Sequence, residues 1–391
     1  MAIERNPIRR KPDWAEDSKP LPNLPQEIIV EILSRLSVKS LLRFTCACKS
    51  WRSLISHPKF AKTHLSVASL NTDYTHDRLL LRNKGYYHPD LNSCSISAIM
   101  YEQSATAVSL DCPFVGSPDS ISIVGSCNGL VCITIHKSTI ILWNPSTRKA
   151  KKLPEIGMQL NELTDSEHAF SPMWLHVYGF GYDESIDDYK VVVVFHVRFK
   201  YMQSQNRVAV YTSRTDSWRR IGDCPHCLDR TCLGKFASGA LHWIPIVRSK
   251  DIIVSLDLAR ETFGEVSQPD YVDSCRNLTM DVVGGCLYTL YNSNRLGVEL
   301  WVMKEYGIRE SWTKLVAIHD KTHSLYGQLF KPLFILKNGD ILMAVRGHLV
   351  QYNPKDGSFF YRTVDKCFLS FRAYPYIGSL VSPDTDADNR V

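Results

Sequence analysis

Apolar residues recur at helical spacing near the start of the chain. In residues 24–36 they occupy positions 28, 29, 32, 33 and 36, which lie on one face of a helix. Pro25 suits the first turn of this helix, and Ser37 suits the N-cap of a second one. A third apolar stripe, within residues 48–55, ends at His57-Pro58. Three such short helices cannot bury all these residues among themselves, so the surplus packs on the remaining chain or faces a partner.

From Arg78 onward the pattern changes to short strand-like runs rich in Val, Ile, Tyr and Trp. Residues 130–135, 190–196 and 341–345 are examples, and Gly, Asn, Asp or Pro interrupts the runs at short intervals. The runs recur in the order glycine, strand, turn, strand, polar hairpin, strand. This order is typical of the four-stranded blades of a β-propeller.

The spacing of the repeats predicts the number of blades. Intervals of 68, 45, 45 and 51 residues separate the anchors Trp143, Tyr211, Leu256, Trp301 and Tyr352. Propeller blades recur at roughly 40–50 residues, so the series fits with one insertion, which we assign to an extended loop at 155–174. A degenerate first unit is expected at 79–110, with a closing strand from 368–380. We predict about six blades, and five or seven remain open.

Composition and charge narrow the class of protein. The net charge of +6 comes from 46 basic and 40 acidic residues, and Arg9-Arg10-Lys11 is the one basic cluster, which argues against nucleic-acid binding. There is no secretory signal pattern, and the apolar run at 191–195 is too short to span a bilayer. Twelve cysteines without a regular framework are best explained as reduced thiols. We therefore expect a cytoplasmic or nuclear protein, or one found in both, without a membrane partner.

The N-terminal helical segment resembles an F-box position by position. The similar residues are Leu24-Pro25, Ile28-Ile29, Ile32-Leu33, Leu36, Leu41-Leu42, Cys48-Lys49, Trp51-Arg52 and Leu54-Ile55. Val38 departs from the pattern, at a place where many family members carry proline. The resemblance implies docking to a Skp-type adaptor and, through it, to the cullin/RING core of an SCF ubiquitin ligase. The residues it implies for this contact, directly or by holding the helices, are Leu24, Pro25, Ile29, Ile32, Leu33, Leu36, Leu41, Leu42, Phe44, Cys48 and Trp51.

The β-rich remainder resembles the plant F-box-associated domain. The similar segments include Ser126-Cys127-Asn128-Gly129-Leu130, Leu142-Trp143-Asn144-Pro145, Gly179-Phe180-Gly181-Tyr182, Gly239-Ala240-Leu241-His242-Trp243 and Leu300-Trp301-Val302-Met303. Only Gly284-Gly285 shows the double glycine of kelch repeats, so "kelch-like" describes the architecture alone. The predicted fold is α+β and multidomain, with a three-helix F-box module before an all-β propeller. We divide the chain into a disordered basic leader (1–20), F-box (21–66), linker (67–77), propeller (78–382) and disordered tail (383–391).

Two clusters carry residues suited to chemistry. Cys224-Pro225-His226-Cys227, with Cys232 further on, has a spacing that suits zinc, but a structural site usually needs a second such pair. The acidic pairs Asp183-Glu184 and Asp187-Asp188 could serve a glycosidase, although acidic residues in a turn before a strand usually cap and solvate it. Neither a P-loop nor a Gly-x-Ser-x-Gly elbow occurs. We therefore predict no catalytic residue, no metal and no cofactor.

Together these observations predict a non-catalytic substrate receptor of an SCF ligase, whose propeller binds an unidentified protein targeted for ubiquitination. The alternatives are a propeller hydrolase or oxidase with a helical extension, and an F-box protein that acts outside any ligase. Substrate specificity is expected in loops. We assign it to two long loops, 155–174 and 222–234, and name Met173, Trp174, His226 and Arg230 as candidate contacts.

Overall fold

The computed structural model describes residues 24–71, 73–83, 91–112, 121–136, 138–156, 175–197, 205–228, 233–245, 252–269, 278–293, 297–318, 330–365 and 371–384. It begins with four helices: α1 (Gln26–Ser34), α2 (Val38–Phe44), α3 (Lys49–Ser56) and α4 (Pro58–Leu70). Pro25 is the N-cap of α1, and the Ser37 hydroxyl accepts a hydrogen bond from the Ser40 N–H at the start of α2. His57 ends α3 and caps α4. The three predicted helices are confirmed, and a fourth helix, α4, extends the module to Leu70.

The remaining described chain forms six four-stranded antiparallel sheets arranged as the blades of a propeller. Blade 1 contains β1 (Asp77–Asn83), β2 (Leu91–Ser95) and β3 (Val108–Leu110), and blade 2 contains β4 (Ile121–Cys127), β5 (Leu130–Ile135), β6 (Thr139–Trp143) and β7 (Ala150–Lys152). Blade 3 contains β8 (Leu175–Asp183), β9 (Asp188–Val197), β10 (Gln205–Thr212) and β11 (Ser217–Ile221), and blade 4 contains β12 (Lys235–Ala237), β13 (Ala240–Trp243), β14 (Ile252–Asp257) and β15 (Phe263–Ser267). Blade 5 contains β16 (Leu278–Val283), β17 (Cys286–Ser293), β18 (Gly297–Met303) and β19 (Trp312–Ile318), and blade 6 contains β20 (Phe330–Ile335), β21 (Ile341–Val345), β22 (His348–Tyr352) and β23 (Phe359–Arg362).

The ring closes through the last strand of the chain. Strand β24 (Phe371–Ile377) pairs antiparallel with β1 and takes the innermost position in blade 1, giving the order β24-β1-β2-β3. The predicted number of six blades and the predicted closing strand are therefore confirmed. Closure joins the two ends of the propeller sequence directly, because Asp77 lies opposite Ile377.

Each blade is an antiparallel meander, so its turns alternate between the two faces of the propeller. Turns from the first to the second strand and from the third to the fourth lie on one face, which we call the hairpin face. Turns from the second to the third strand, and the connections between blades, lie on the other, which we call the crossover face. The segments predicted as long loops, 155–174 and 222–234, lie between β7 and β8 and between β11 and β12, so the described residues that flank them leave from the crossover face. Residues 157–174 and 229–232 themselves lie outside the described residues.

The turns on the hairpin face follow from local sequence. Asn128-Gly129 and Ser238-Gly239 have positive φ at both residues, as the tight type I′ turn of a two-residue hairpin requires. In the third hairpin of blades 2 and 4, the Asn144 and Asp257 side chains accept hydrogen bonds from N–H groups two and three residues later. Such Asx turns explain why polar residues separate successive strands in the sequence.

The apolar core lies between neighbouring blades. All five predicted anchors fall on third strands, and four of them (Trp143, Tyr211, Leu256 and Tyr352) are buried. Trp301 is half-buried and packs between blades 4 and 5. The repeated residues of the sequence thus occupy equivalent positions in successive blades, because each of these third strands contributes large side chains to an interface between blades.

The predicted all-β propeller is confirmed, and within the described residues two short helical segments accompany its strands. A helix, α5 (Ile96–Tyr101), replaces the third hairpin in blade 1, and a single 3-10 turn, Arg309–Ser311, precedes β19. Ile96 and Ile99 are buried on one face of α5, because their spacing of three residues suits a helix. No helix in the described ranges is long and apolar enough to cross a membrane.

Candidate functional site

The four helices pack around a small core of their own. Leu33, Leu41, Ile55 and Phe60 are buried at its centre, one from each helix. Ile29, Leu36 and Trp51 are half-buried and pack against this cluster. Leu380, from the chain that follows β24, packs there too. The module is therefore held together internally and also touches the propeller's closing segment.

The apolar residues left outside this core form the candidate binding surface. Leu24, Ile28 and Ile32 are 56%, 41% and 49% exposed, and their spacing of four residues aligns the two isoleucines along one side of α1. On α2, Leu42 and Phe44 are 40% and 36% exposed. Five large apolar side chains within 21 residues are more than a single module normally leaves in water.

The structure sorts the predicted adaptor residues into three groups. Leu33 and Leu41 are buried and support the helices, whereas Ile29, Leu36 and Trp51 are half-buried. The exposed members are Leu24, Pro25, Ile32, Leu42, Phe44 and Cys48. Ile28 was missing from the predicted set, although it lies four residues from both Leu24 and Ile32. That spacing was the signal that could have found it.

Trp51 links α2 to α3 at the edge of this surface. Its ring packs edge-on against Phe44, with centroids 5.3 Å apart. Its backbone N–H donates to the Cys48 sulfur at 3.5 Å, which caps α3. Hydrogen bonds from the Ser50 side chain and the Trp51 backbone lower the pKa of the exposed Cys48 thiol. These contacts join the end of α2 to the first turn of α3.

Helix α4 joins the module to the propeller through two buried histidines. The His64 ring hydrogen-bonds through Nε2 to the Leu36 carbonyl at 2.9 Å and packs edge-on against His76, which directly precedes β1. The ring centroids are 5.1 Å apart, and burial lowers the pKa of both side chains. The His76 carbonyl in turn accepts from the Gly378 N–H at 2.7 Å, after the closing strand.

The module also reaches across the hairpin face. Lys62 of α4 pairs with Asp187, in the first hairpin of blade 3. Beyond α4, Asp73 pairs with Lys337 at 2.7 Å, in the first hairpin of blade 6. Blades 3 and 6 lie on opposite sides of a six-blade ring, so α4 and the residues after it cross this face. Both ion pairs are solvent-exposed and therefore weak, so the buried contacts hold the arrangement.

The segment after β24 covers more of the same face. Ser379 is buried, its hydroxyl donates to the Asn128 carbonyl at 2.8 Å, and its carbonyl accepts from the Asn144 side-chain amide at 3.0 Å. The same amide donates to the Val381 carbonyl at 2.7 Å. The hairpin face of blade 2 is thus occupied by the protein's own chain.

Comparison with known proteins identifies both parts. Residues 21–63 match the model of the F-box domain, and residues 86–373 match that of the F-box associated beta propeller domain. The chain belongs to the plant F-box proteins that carry this propeller. An F-box/kelch-repeat protein of Arabidopsis thaliana is 33% identical over 93% of this chain and 96% of its own length. The F-box protein CPR1 of the same plant is 29% identical over 92% and 88%.

Solved structures add little to this assignment. An oligogalacturonate lyase from Vibrio parahaemolyticus covers 72% of this F-box protein and 78% of its own chain, with a TM-score of 0.38 and 10% identity. A likeness this remote says nothing about activity. The family and the relatives point instead to an F-box substrate-adaptor role.

The predicted substrate contacts of this F-box protein are only partly described. Met173, Trp174 and Arg230 lie outside the described residues. His226 lies on the crossover face, where its carbonyl accepts from the Asn206 side-chain amide at 2.8 Å. Its Nε2 is 3.2 Å from the Glu265 carboxylate of blade 4. His226 therefore lies at the junction of blades 3 and 4.

The cysteine and aspartate clusters have structural partners. Cys224 is buried, its thiol donates to the His226 carbonyl, and burial raises its pKa to about 11, which disfavours the thiolate that zinc requires. Cys232 lies outside the described residues. The Asp183 carboxylate pairs with the buried Lys190 at 2.8 Å. Within the described ranges, no three His, Cys, Asp or Glu side chains are arranged to hold a metal ion.

Proposed function

We propose that this protein is the substrate receptor of an SCF ubiquitin ligase. Its F-box docks a Skp-type adaptor, which connects it to the cullin/RING core, and its propeller binds the protein to be ubiquitinated. The observation that carries this proposal is the exposed apolar surface on α1 and α2, with Ile28 and Ile32 at its centre. The opposite side of the module is already used, since α4 packs against α1 and α3 and touches the propeller.

The mechanism is proximity. Holding a substrate lysine near a charged ubiquitin-conjugating enzyme raises its effective concentration, and this requires no catalytic group in the receptor. The buried His64 and His76 contact and the Leu380 contact support a fixed angle between F-box and propeller. A fixed angle keeps a bound substrate at one distance from the ligase core.

We assign substrate binding to the crossover face. The hairpin face is crossed by α4 and by the segment after β24, which leaves less of it free for another protein. The two longest connections between blades, 155–174 and 222–234, leave from the crossover face at neighbouring blades. Loops of this length in a compact fold are often binding loops. His226 is the described member of the candidate contacts there.

We also propose that the protein works in the cytoplasm, the nucleus or both. Seven cysteines among the described residues are free thiols, which suits a reducing compartment: Cys46, Cys48, Cys127, Cys132, Cys224, Cys227 and Cys286.

Adaptor docking is tested by pull-down with a purified Skp-type adaptor. The double variant Leu24→Ala/Pro25→Ala truncates an exposed apolar anchor and the exposed proline at the N-cap position of α1. Truncating a central anchor typically costs about 2 kcal/mol or more, roughly thirtyfold in affinity, so capture should be lost while the propeller stays folded. Leu70→Ala is the matched control, because Leu70 is 80% exposed at the far end of α4. Undiminished capture of the double variant would contradict the proposal.

The substrate face is tested by exchanging each long loop for a short Gly-Ser linker. Substrate capture should be lost, while thermal stability and adaptor binding remain as in the wild type. Normal turnover of the target in cells that express the loop-replaced protein would show that recognition lies elsewhere. The adaptor pull-down on the same variants separates failure of this assignment from failure of the F-box assignment.

A further inference from the structure

The outermost strand of blade 6 exposes a run of aromatic side chains. In β23, Phe359, Phe360 and Tyr361 are 38%, 53% and 73% exposed. Strand side chains alternate between the two faces of a sheet. Phe359 and Tyr361 therefore share the side of Tyr352 and Val350, which pack toward blade 5, and Phe360 takes the side toward blade 1. Aromatic side chains are thus exposed on both faces of this edge strand, and Arg362, on the side of Phe360, is half-buried and donates to the Gln351 side chain.

The outer strands of four other blades are built differently. Each carries at least one charged residue at an exposed position, which is how edge strands usually avoid pairing with other chains. These residues are Lys152 in β7, Arg219 and Arg220 in β11, Glu265 in β15 and Lys314 in β19. The outer strand of blade 1, β3, has no charged residue, but Val108 is its one large exposed side chain. The exposed positions of β23 are all aromatic, and its one charged residue, Arg362, is half-buried, which makes β23 an exception among the described outer strands.

The register shows which backbone groups of β23 point outward. The Asn353 N–H donates to the Ser358 carbonyl, so Ser358, Phe360 and Arg362 face β22, and Phe359 and Tyr361 face away from it. No partner for these outward N–H and C=O groups occurs in the described part of the chain. They form an open edge that can pair with another strand.

The protein already pairs a segment of its own at the end of this edge. The Thr363 carbonyl accepts from the Ala105 N–H at 3.1 Å, and the Asp365 N–H donates to the Ala105 carbonyl at 2.9 Å. This single parallel bridge, between Ala105 and Val364, lies in line with the outward groups of Phe359 and Tyr361. The edge therefore has a geometry that accepts a strand, and its free part begins where the bridge ends.

We propose that β23 binds an extended segment of a partner protein as an added strand. The segment carries large apolar side chains at alternate positions, which pack on Phe359 and Tyr361 while its backbone pairs with the open edge. The three aromatic residues offer roughly 300 Å² of exposed surface, judged from the 150–250 Å² of a whole aromatic side chain. A stable dimer needs about 800 Å² from each partner, so a peptide segment fits this edge better than a second copy of the chain.

The test uses the full-length protein and a random linear heptapeptide phage library as the probe. Tyr361→Pro removes an outward N–H and leaves the hydrogen bonds to β22 intact, because Tyr361 does not donate to that strand. The double variant Phe360→Lys/Tyr361→Lys gives β23 the charge that other outer strands carry. Leu315→Lys is the control, since Leu315 is 38% exposed on the outer strand of blade 5.

We expect enriched peptides with alternating large apolar residues. Their dissociation constants should rise at least tenfold with both β23 variants and stay unchanged with Leu315→Lys, at matched melting temperatures. Failure of any sequence to enrich, or equal binding to Tyr361→Pro, would overturn the proposal. So would a wild-type dimer in sedimentation that Tyr361→Pro abolishes, because the edge would then belong to a second copy. Adaptor pull-down on the same variants tests the F-box surface and does not depend on β23. A failure of this proposal can therefore be distinguished from a failure of the F-box assignment.

Discussion

Ile32 and Leu33 are neighbours on α1 with opposite environments, and this contrast separates adaptor binding from folding. Ile32 is 49% exposed on the proposed adaptor surface, whereas Leu33 is 1% exposed in the core of the module. Truncating each to alanine removes a comparable amount of apolar side chain from the same helical turn. If the surface has been assigned correctly, the first change weakens binding and the second weakens the fold.

The sizes of the two effects follow from burial. Fully burying an isoleucine side chain is worth about 1.5–3 kcal/mol, and about half of Ile32 remains to be buried by a partner. Ile32→Ala should therefore cost roughly 1 kcal/mol of binding free energy, about fivefold in dissociation constant. Leu33→Ala removes a fully packed side chain, so it should lower the free energy of unfolding by about 2–5 kcal/mol.

Isothermal titration with a Skp-type adaptor measures the first quantity, and thermal unfolding with limited proteolysis of the helical module measures the second. Ile32→Ala should keep the melting temperature and protease resistance of the wild type. If Ile32→Ala destabilises the module as strongly as Leu33→Ala does, or binds the adaptor undiminished, the division between surface and core is refuted.

Two further predictions concern the propeller. His242 is buried, with its ring bonded to the Lys235 carbonyl and the Tyr306 hydroxyl, and burial lowers its pKa to about 4. His242 therefore binds a proton more readily in the unfolded chain than in the folded protein. The resulting stability is fully present above about pH 6.5 and should be lost as the pH falls toward 4, by up to about 3 kcal/mol. Urea titrations at several pH values should show a weaker pH dependence of the free energy of unfolding for His242→Gln than for the wild type. Gly129→Ala should lower the melting temperature more than Gly239→Ala. Both glycines have positive φ, so the backbone strain is similar. A Cβ at Gly129 would clash with the Ser379 hydroxyl oxygen, whereas no atom lies within 4 Å of a Cβ at Gly239. Equal decreases in melting temperature would contradict this prediction, because they would mean that the segment after β24 moves away from Gly129 at no cost in stability.

Local patterns were sufficient for the elements and their repetition. The spacing of apolar residues identified α1 to α3, and Ser37 and His57 marked helix ends because capping depends on residues within one turn. The spacing of Trp143, Tyr211 and the other anchors predicted about six blades, because blades 2 to 6 each place a large side chain at the same third-strand position. Resemblance to the F-box supplied the expected partner, which periodicity alone left open.

The tertiary structure decided which side of each element faces solvent and how the parts meet. Ile28 and Ile29 are equivalent in the sequence pattern, but only the packing of the helices around their common core leaves the first exposed and the second half-buried. The crossing of α4 from blade 3 to blade 6 depends on contacts between residues more than a hundred positions apart, such as Lys62 with Asp187. The open aromatic edge of β23 likewise appears only once the register with β22 is known, because that register determines which backbone groups point outward.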